Sequence, residues 1–377
     1  MLLLSGILNT ISNFKWTMIG KRSERIQYID ALRGFTMILV VFAHVETFGF
    51  FNFGYETFVG RLFQAFRMPL FFFISGFIAY KKDRIWSRET CLQLAKKKAL
   101  IQVIPALFFG LIYTYCSLHS DFSTFISDPS KLGYWFTFVL LEMFLIYYTL
   151  SGVSFAISRK IRWHETTVTV IVLVLSAIVC YLLKLPLKLI PLLDTIGNYT
   201  SLHYTFNYFI YFVFGVLFRQ YFSFFLKLLD NKYFTAIVIL LFAAIFFFSS
   251  DLLIHNNGGN IIIKVAITIL ETILGFLGIL IVFTFFRKYS SSFESSTKLG
   301  GILQYIGKRT LDIYLLHYFF LARIPKIGDY LTMSNNVVIE LSIGFILSII
   351  IIGLCLCISN VIRVSPFLGK YLLGARE

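Results

Sequence analysis

Nine ionisable side chains interrupt stretches that are otherwise apolar: Arg33, His44, Glu46, Arg67, Glu142, Lys264, Glu271, Asp312 and His317. A charge at mid-bilayer costs at least ~2.5–3.5 kcal/mol, so each of these groups needs a partner or a use. In "DALRGFTMILVVFAH" (Asp30 to His44) an arginine and a histidine stand at either end of a run suited to lipid. Arg33 and His44 are eleven residues apart, which on a helix is roughly 20° beyond three full turns and about 16 Å along the axis. Both side chains are therefore expected on one face. A planar guanidinium suits phosphate oxygens, and a neutral imidazole suits taking a proton from a hydroxyl. The pair fits an extended ligand with phosphates at one end and a reactive group nearer the middle. Glu46 points about 200° away from His44 and is expected outside the same site.

The elements that must position these groups are membrane helices. Apolar stretches long enough to cross a roughly 30 Å hydrocarbon core recur down the chain. Ten are predicted, at about 28–51, 61–80, 99–118, 134–151, 167–184, 203–222, 233–250, 261–284, 302–323 and 335–359. No alternating strand pattern competes, and unpaired backbone in lipid is costly. With the N-terminus cytoplasmic, 25 of the 34 Lys and Arg fall in inner segments and six in outer ones, with Arg33, Arg67 and Lys264 inside the spans. That alternation predicts an all-α polytopic bundle with both termini cytoplasmic. The domain reading is a cytoplasmic or interfacial N-terminal segment over 1–27, a membrane domain over 28–360 and a cytoplasmic tail over 361–377.

Composition agrees with that class. The chain is 58% hydrophobic and only 14% charged, far from soluble globular domains. Its net charge of +15 is accounted for by the basic inner loops, so no nucleic acid is needed as a partner. The five cysteines show no CxxC spacing and no Cys/His cluster suggests a metal site. Residues 1–20 lack a charged n-region and an A-x-A site, which reads against a cleaved signal peptide.

Four blocks carry a resemblance. "DALRGFTMILVVFAH" resembles the R-x10-H signature of acyltransferase family 3, integral membrane O-acyltransferases with about ten spans. "FRMPLFFFISGFIAY" (66–80), "YWFTFVLLE" (134–142) and "IGKRTLDIYLLHYF" (306–319) are similar to further blocks of that family, in family order. The resemblance implies transfer of an acyl group, acetyl above all, from cytosolic acyl-CoA to a hydroxyl of a cell-surface glycan or its lipid-linked precursor. No bound cofactor is implied, and acyl-CoA is the co-substrate. The implied location is the cell membrane, multi-pass.

Carried over, His44 is the general base, and Arg33 holds its neighbourhood or the donor's phosphates. Arg67 is a second cation in the cavity, and Glu142 orients His44 or the acceptor. Bland readings stand beside these roles. Arg67, just before Met68-Pro69, would serve carbonyls freed by the proline, and Glu142 would pair with Arg67. Tyr314 and His317, three apart on one helix face, either pack the bundle or contact the acceptor. Asp312 is expected to pair with Lys308 or Arg309. Ser75, beside Gly76, is expected to allow close helix contact and not to act as a nucleophile. The rival function is a transporter whose path Arg33, Arg67 and Glu142 line. It calls for inverted repeats, and none is evident.

Overall fold

The computed structural model describes residues 26–51, 57–255, 261–334 and 336–374, and the regular structure in them is helical throughout. The expected interfacial segment lies, up to residue 25, outside the described residues. The helices are α1 (Gln27–His44, continued by a π turn, Val45–Gly49), α2 (Phe58–Ala79), α3 (Arg88–Cys116), α4 (Phe122–Ser127) and α5 (Trp135–Ile161). They continue with α6 (Glu165–Leu189), α7 (Pro191–Thr200), α8 (Leu202–Gln220), α9 (Phe222–Asp230), α10 (Lys232–His255) and α11 (Ile261–Lys288). Last come α12 (Lys298–Lys308), α13 (Thr310–Leu316), α14 (Pro325–Ser334), α15 (Val337–Val364) and α16 (Pro366–Leu373).

Among the described residues eight of these helices are long and apolar enough to cross a membrane, and the bent pair α7–α8, with 69° between its halves, makes a ninth. The ten spans expected are thus not ten continuous helices. Residues 302–323 form α12, α13 and a 3-10 turn, His317–Phe320, with a break at Arg309. Lys308, Arg309 and Asp312 crowd the break, and a run so charged does not stand in lipid on its own. The broken segment still travels beside α1 for its whole length. The Ser295 amide donates to Gln27 Oε1 at one end (2.8 Å), and the Ile324 amide donates to the Gly49 carbonyl at the other (2.7 Å).

Local sequence sets several helix starts. Thr57 Oγ1 accepts from the Gly60 amide, Ser87 Oγ from the Thr90 amide, and Asn336 Oδ1 from the Val338 and Ile339 amides. Each satisfies a donor that the first turn leaves orphaned. α3 begins eleven residues before its predicted span, so the basic run from Arg88 to Lys98 rides on a helix that outreaches the hydrocarbon core.

α1 is the central element: 78% of its apolar window is buried, against 17% for α6 and for α10, which leaves lipid to the outer helices. Its approach to α12 depends on paired glycines. A Cβ on Gly34 would overlap the Leu303 carbonyl oxygen, and one on Gly307 would overlap that of Asp30. α15 runs antiparallel to α1. Glu340 meets Glu46, Gly344 packs on the Phe42 ring, and Arg363 reaches Asp312 beside the Arg33–Thr310 contact. Residues 27 and 364 therefore share one end of the bundle.

Candidate active site

His44 is the last residue of α1 before the π turn, and His317 is the first of the 3-10 turn after α13. Both lie where the helical ladder changes pitch, a common setting for functional groups. His44 Nδ1 is 2.7 Å from His317 Nε2, and His317 Nδ1 is 3.1 Å from the Ile313 carbonyl oxygen. The ring centroids are 4.9 Å apart with planes 10° from parallel. With so short an N–N contact, that separation means coplanar rings meeting edge to edge and not stacked faces.

The partners assign the protons of the neutral pair. A carbonyl only accepts, so His317 carries its hydrogen on Nδ1 and presents a bare Nε2. His44 then donates through Nδ1, which leaves the lone pair on its Nε2 unspent. Tyr318 Oη lies 3.4 Å from that nitrogen, but its hydrogen goes to the Gly133 carbonyl at 3.0 Å. His317 is fully buried and His44 is half-buried, so the fixed ring stands behind the accessible one.

His44 opens on a cavity of about 630 Å³, mouth included, whose wall holds Arg67, Gln64, Trp135, Tyr208 and Tyr314. Trp135 stacks on Tyr204 with centroids 4.4 Å apart, and Tyr208 stacks on Phe72, giving a rigid aromatic side. Tyr314 contributes its ring, while its hydroxyl accepts from the Phe136 amide (3.1 Å) and donates to the Gly133 carbonyl (2.8 Å). Gly133 has φ +107°, and a side chain there would run into the Tyr318 ring. The start of α5 is thereby tied to α13, closing one wall around the imidazole. Below it, the Lys131 ammonium donates to the carbonyls of Ile126, Asp128 and Asn198 at 2.7–2.8 Å, joining this loop to α7. Burial pushes the Lys131 ammonium down to about 8.

The sequence-predicted residues divide. His44, Arg67 and Tyr314 meet at the cavity. His317 stands behind His44. Arg33 does share the face of His44, since both reach the 310–317 segment, but the cavity wall does not include it. Its guanidinium donates to Thr310 Oγ1 (3.0 Å) and lies 3.8 Å from Asp30. The hydrogen bond of Glu142 is with the buried Thr205 hydroxyl, so the orienting contact to His44 comes from His317 and not from Glu142. Glu46 turns away to Glu340, as its spacing implies. Asp312 takes Arg363 in a two-point contact at 2.9 Å and the Ser359 hydroxyl, with Arg309 at 3.6 Å. The expected Arg309 pair is thus the lesser one, because α15 brings the better cation. Ser75 donates to the Phe71 carbonyl, and it is Gly76 that meets the α8 backbone.

Gln64, Trp135, Tyr208 and Tyr318 are site residues that sequence reasoning missed. Trp135 and Tyr318 sat within the family-like blocks; Gln64 and Tyr208 carried no signal, being uncharged residues in apolar runs.

The acyltransferase domain model of family 3 matches residues 26–359, and the chain belongs to that family. No curated protein and no solved structure matched.

Proposed function

We propose that this membrane acyltransferase moves an acyl group, acetyl above all, from cytosolic acyl-CoA to a hydroxyl of a cell-surface glycan or its lipid-linked precursor. The observation that carries the reading is the unspent Nε2 lone pair of His44, held by His317 and facing a cavity that also holds Arg67. As the acceptor oxygen attacks the thioester carbonyl, His44 Nε2 takes the hydroxyl proton. The carbon–sulfur bond then breaks, and the departing thiolate receives that proton from the imidazolium. No enzyme-bound acyl intermediate is required, so no nucleophilic cysteine or serine is required either.

Arg67 is suited to the oxyanion that develops on the carbonyl, where a fixed charge in a dry site acts strongly. Arg33, about 16 Å along α1, is suited to donor phosphates. The end of the bundle that holds residues 27 and 364 is the cytoplasmic one in this reading, where most of the basic residues fall. Tyr314 would line the acceptor's path, and Glu142 would support it through Thr205. The bilayer in question is the cell membrane.

The test is His44→Ala in cells, with surface glycan analysed by mass spectrometry. General-base catalysis contributes about 10²–10⁴-fold. Acylation should fall by that order while the protein still inserts. Normal product would remove His44 from the mechanism.

A further inference from the structure

We infer that a second chamber, continuous in its wall with the His44 cavity, seats the sugar ring of the acceptor; this rests on the acyl-transfer reading above. The chamber, about 930 Å³ with its opening, is bounded by α2, α8, α10 and α11 and shares Gln64 and Tyr208 with the catalytic cavity. Its other walls carry Arg61, Asn207, Ser250 and Glu271. Arg61 and Asn207 stand in the opening turns of α2 and α8, and Ser250 near the close of α10. That is the end opposite residues 27 and 364, so the chamber faces away from the side assigned to the donor.

The lining selects the ligand's chemistry. A chamber this polar within apolar helices is not built for acyl chains or lipid tails. Arg61 and Glu271 bring a cation and a carboxyl to the lining, and the Lys184 ammonium donates to Asn207 Oδ1 (3.4 Å), so polar groups of several kinds surround one space. Carboxylate, amide and hydroxyl groups around one space offer alternating acceptors and donors, the set that sugar hydroxyls satisfy. The Tyr208 ring gives a flat face at the junction of the two cavities. Arg61 Nε is buried and has no hydrogen-bond partner among the described residues, a donor left for a ligand oxygen. A ring seated there places a hydroxyl past Gln64 and Tyr208, toward His44.

The experiment fills the chamber without touching the catalytic wall. Ser250→Trp, Asn207→Leu and Glu271→Gln would be expressed as full-length chains in cells, and surface glycan acylation measured by mass spectrometry. The same chains, purified in detergent, would be titrated with acetyl-CoA. Acylation should fall at least about tenfold for Ser250→Trp and about threefold or more for the others, with acetyl-CoA affinity within about twofold of the parent. Size-exclusion profiles report folding; should Ser250→Trp fail to fold, Asn207→Leu and Glu271→Gln decide the matter. Parental acylation in the folded variants overturns the inference, and so does a parallel loss of acetyl-CoA affinity, which would give the chamber to the donor. If instead the parent chain acylates no glycan, or His44→Ala matches it, the broader reading fails. Acylation that depends on His44 but ignores the chamber defeats the chamber alone.

Discussion

Replacing His317 separates orientation from chemistry, because this residue touches His44 and does not line the cavity. In His317→Phe the ring volume stays but the 2.7 Å acceptor for His44 Nδ1–H is lost. A buried donor left without its partner costs about 1–3 kcal/mol. His44 escapes that cost by rotating, or by moving its hydrogen to Nε2 and so abolishing the base. At 1.4 kcal/mol per decade, the competent form drops by about 5- to 150-fold, and kcat should fall by the same factor. Loss of the correct tautomer in a serine-protease triad, about 10⁴-fold, sets the upper limit. Donor binding should be unchanged. His317→Gln supplies an amide oxygen in place of Nε2 and should recover most of the loss, within about tenfold of the parent, which a merely structural role would not give. The double variant His317→Phe/His44→Ala should be no slower than His44→Ala alone, since the two side chains act as one unit. The assay is single-turnover acetyl transfer by purified protein with saturating acetyl-CoA. Parental kcat in His317→Phe, or losses that multiply in the double variant, would refute the assigned relay.

Two further outcomes follow from packing and charge. Gly34→Ala and Gly353→Ala are the same substitution with opposite expected signs. The first drives a methyl into the Leu303 carbonyl and should destabilise by about 1–3 kcal/mol, while the second meets nothing within 4 Å and should be neutral or gain up to about 1 kcal/mol; thermal unfolding in detergent compares them. Arg363→Met strips the buried Asp312 of its two-point partner and should cost about 3–5 kcal/mol, with Asp312→Asn in the same chain restoring much of it. Equal stability of the Arg363→Met chains with and without Asp312→Asn would show that the carboxylate's charge is not what Arg363 offsets.

What could be read from the chain and what could not divide along a physical line. The spacing of Arg33 and His44 lies within one helix, and the common face it implies is what the fold delivers: both reach the 310–317 segment. Hydropathy likewise marked where helices lie, because burial in lipid averages over a whole span. Averages fail where one residue decides. The charges of Lys308, Arg309 and Asp312 are local to 302–323, but Arg363, which meets Asp312, lies 51 residues on. The partner of His44 lies 273 residues away, and no periodicity within α1 bears on it. Arg67 enters the cavity and Arg33 does not because α2 crosses α1 at Phe42–Phe63, next to His44 and far from Arg33. The two irregular turns then gain a meaning that propensity alone would not give them. α12–α13 and α1 begin together at Gln27–Ser295 and end together at Gly49–Ile324, so their ladders are locked in length as well as in direction. Within that length one helix loosens to a π turn just after His44, while the other tightens to a 3-10 turn at His317. At that point the two parallel elements hold their imidazoles in one plane, edge to edge, with His44 Nε2 left unspent by His317.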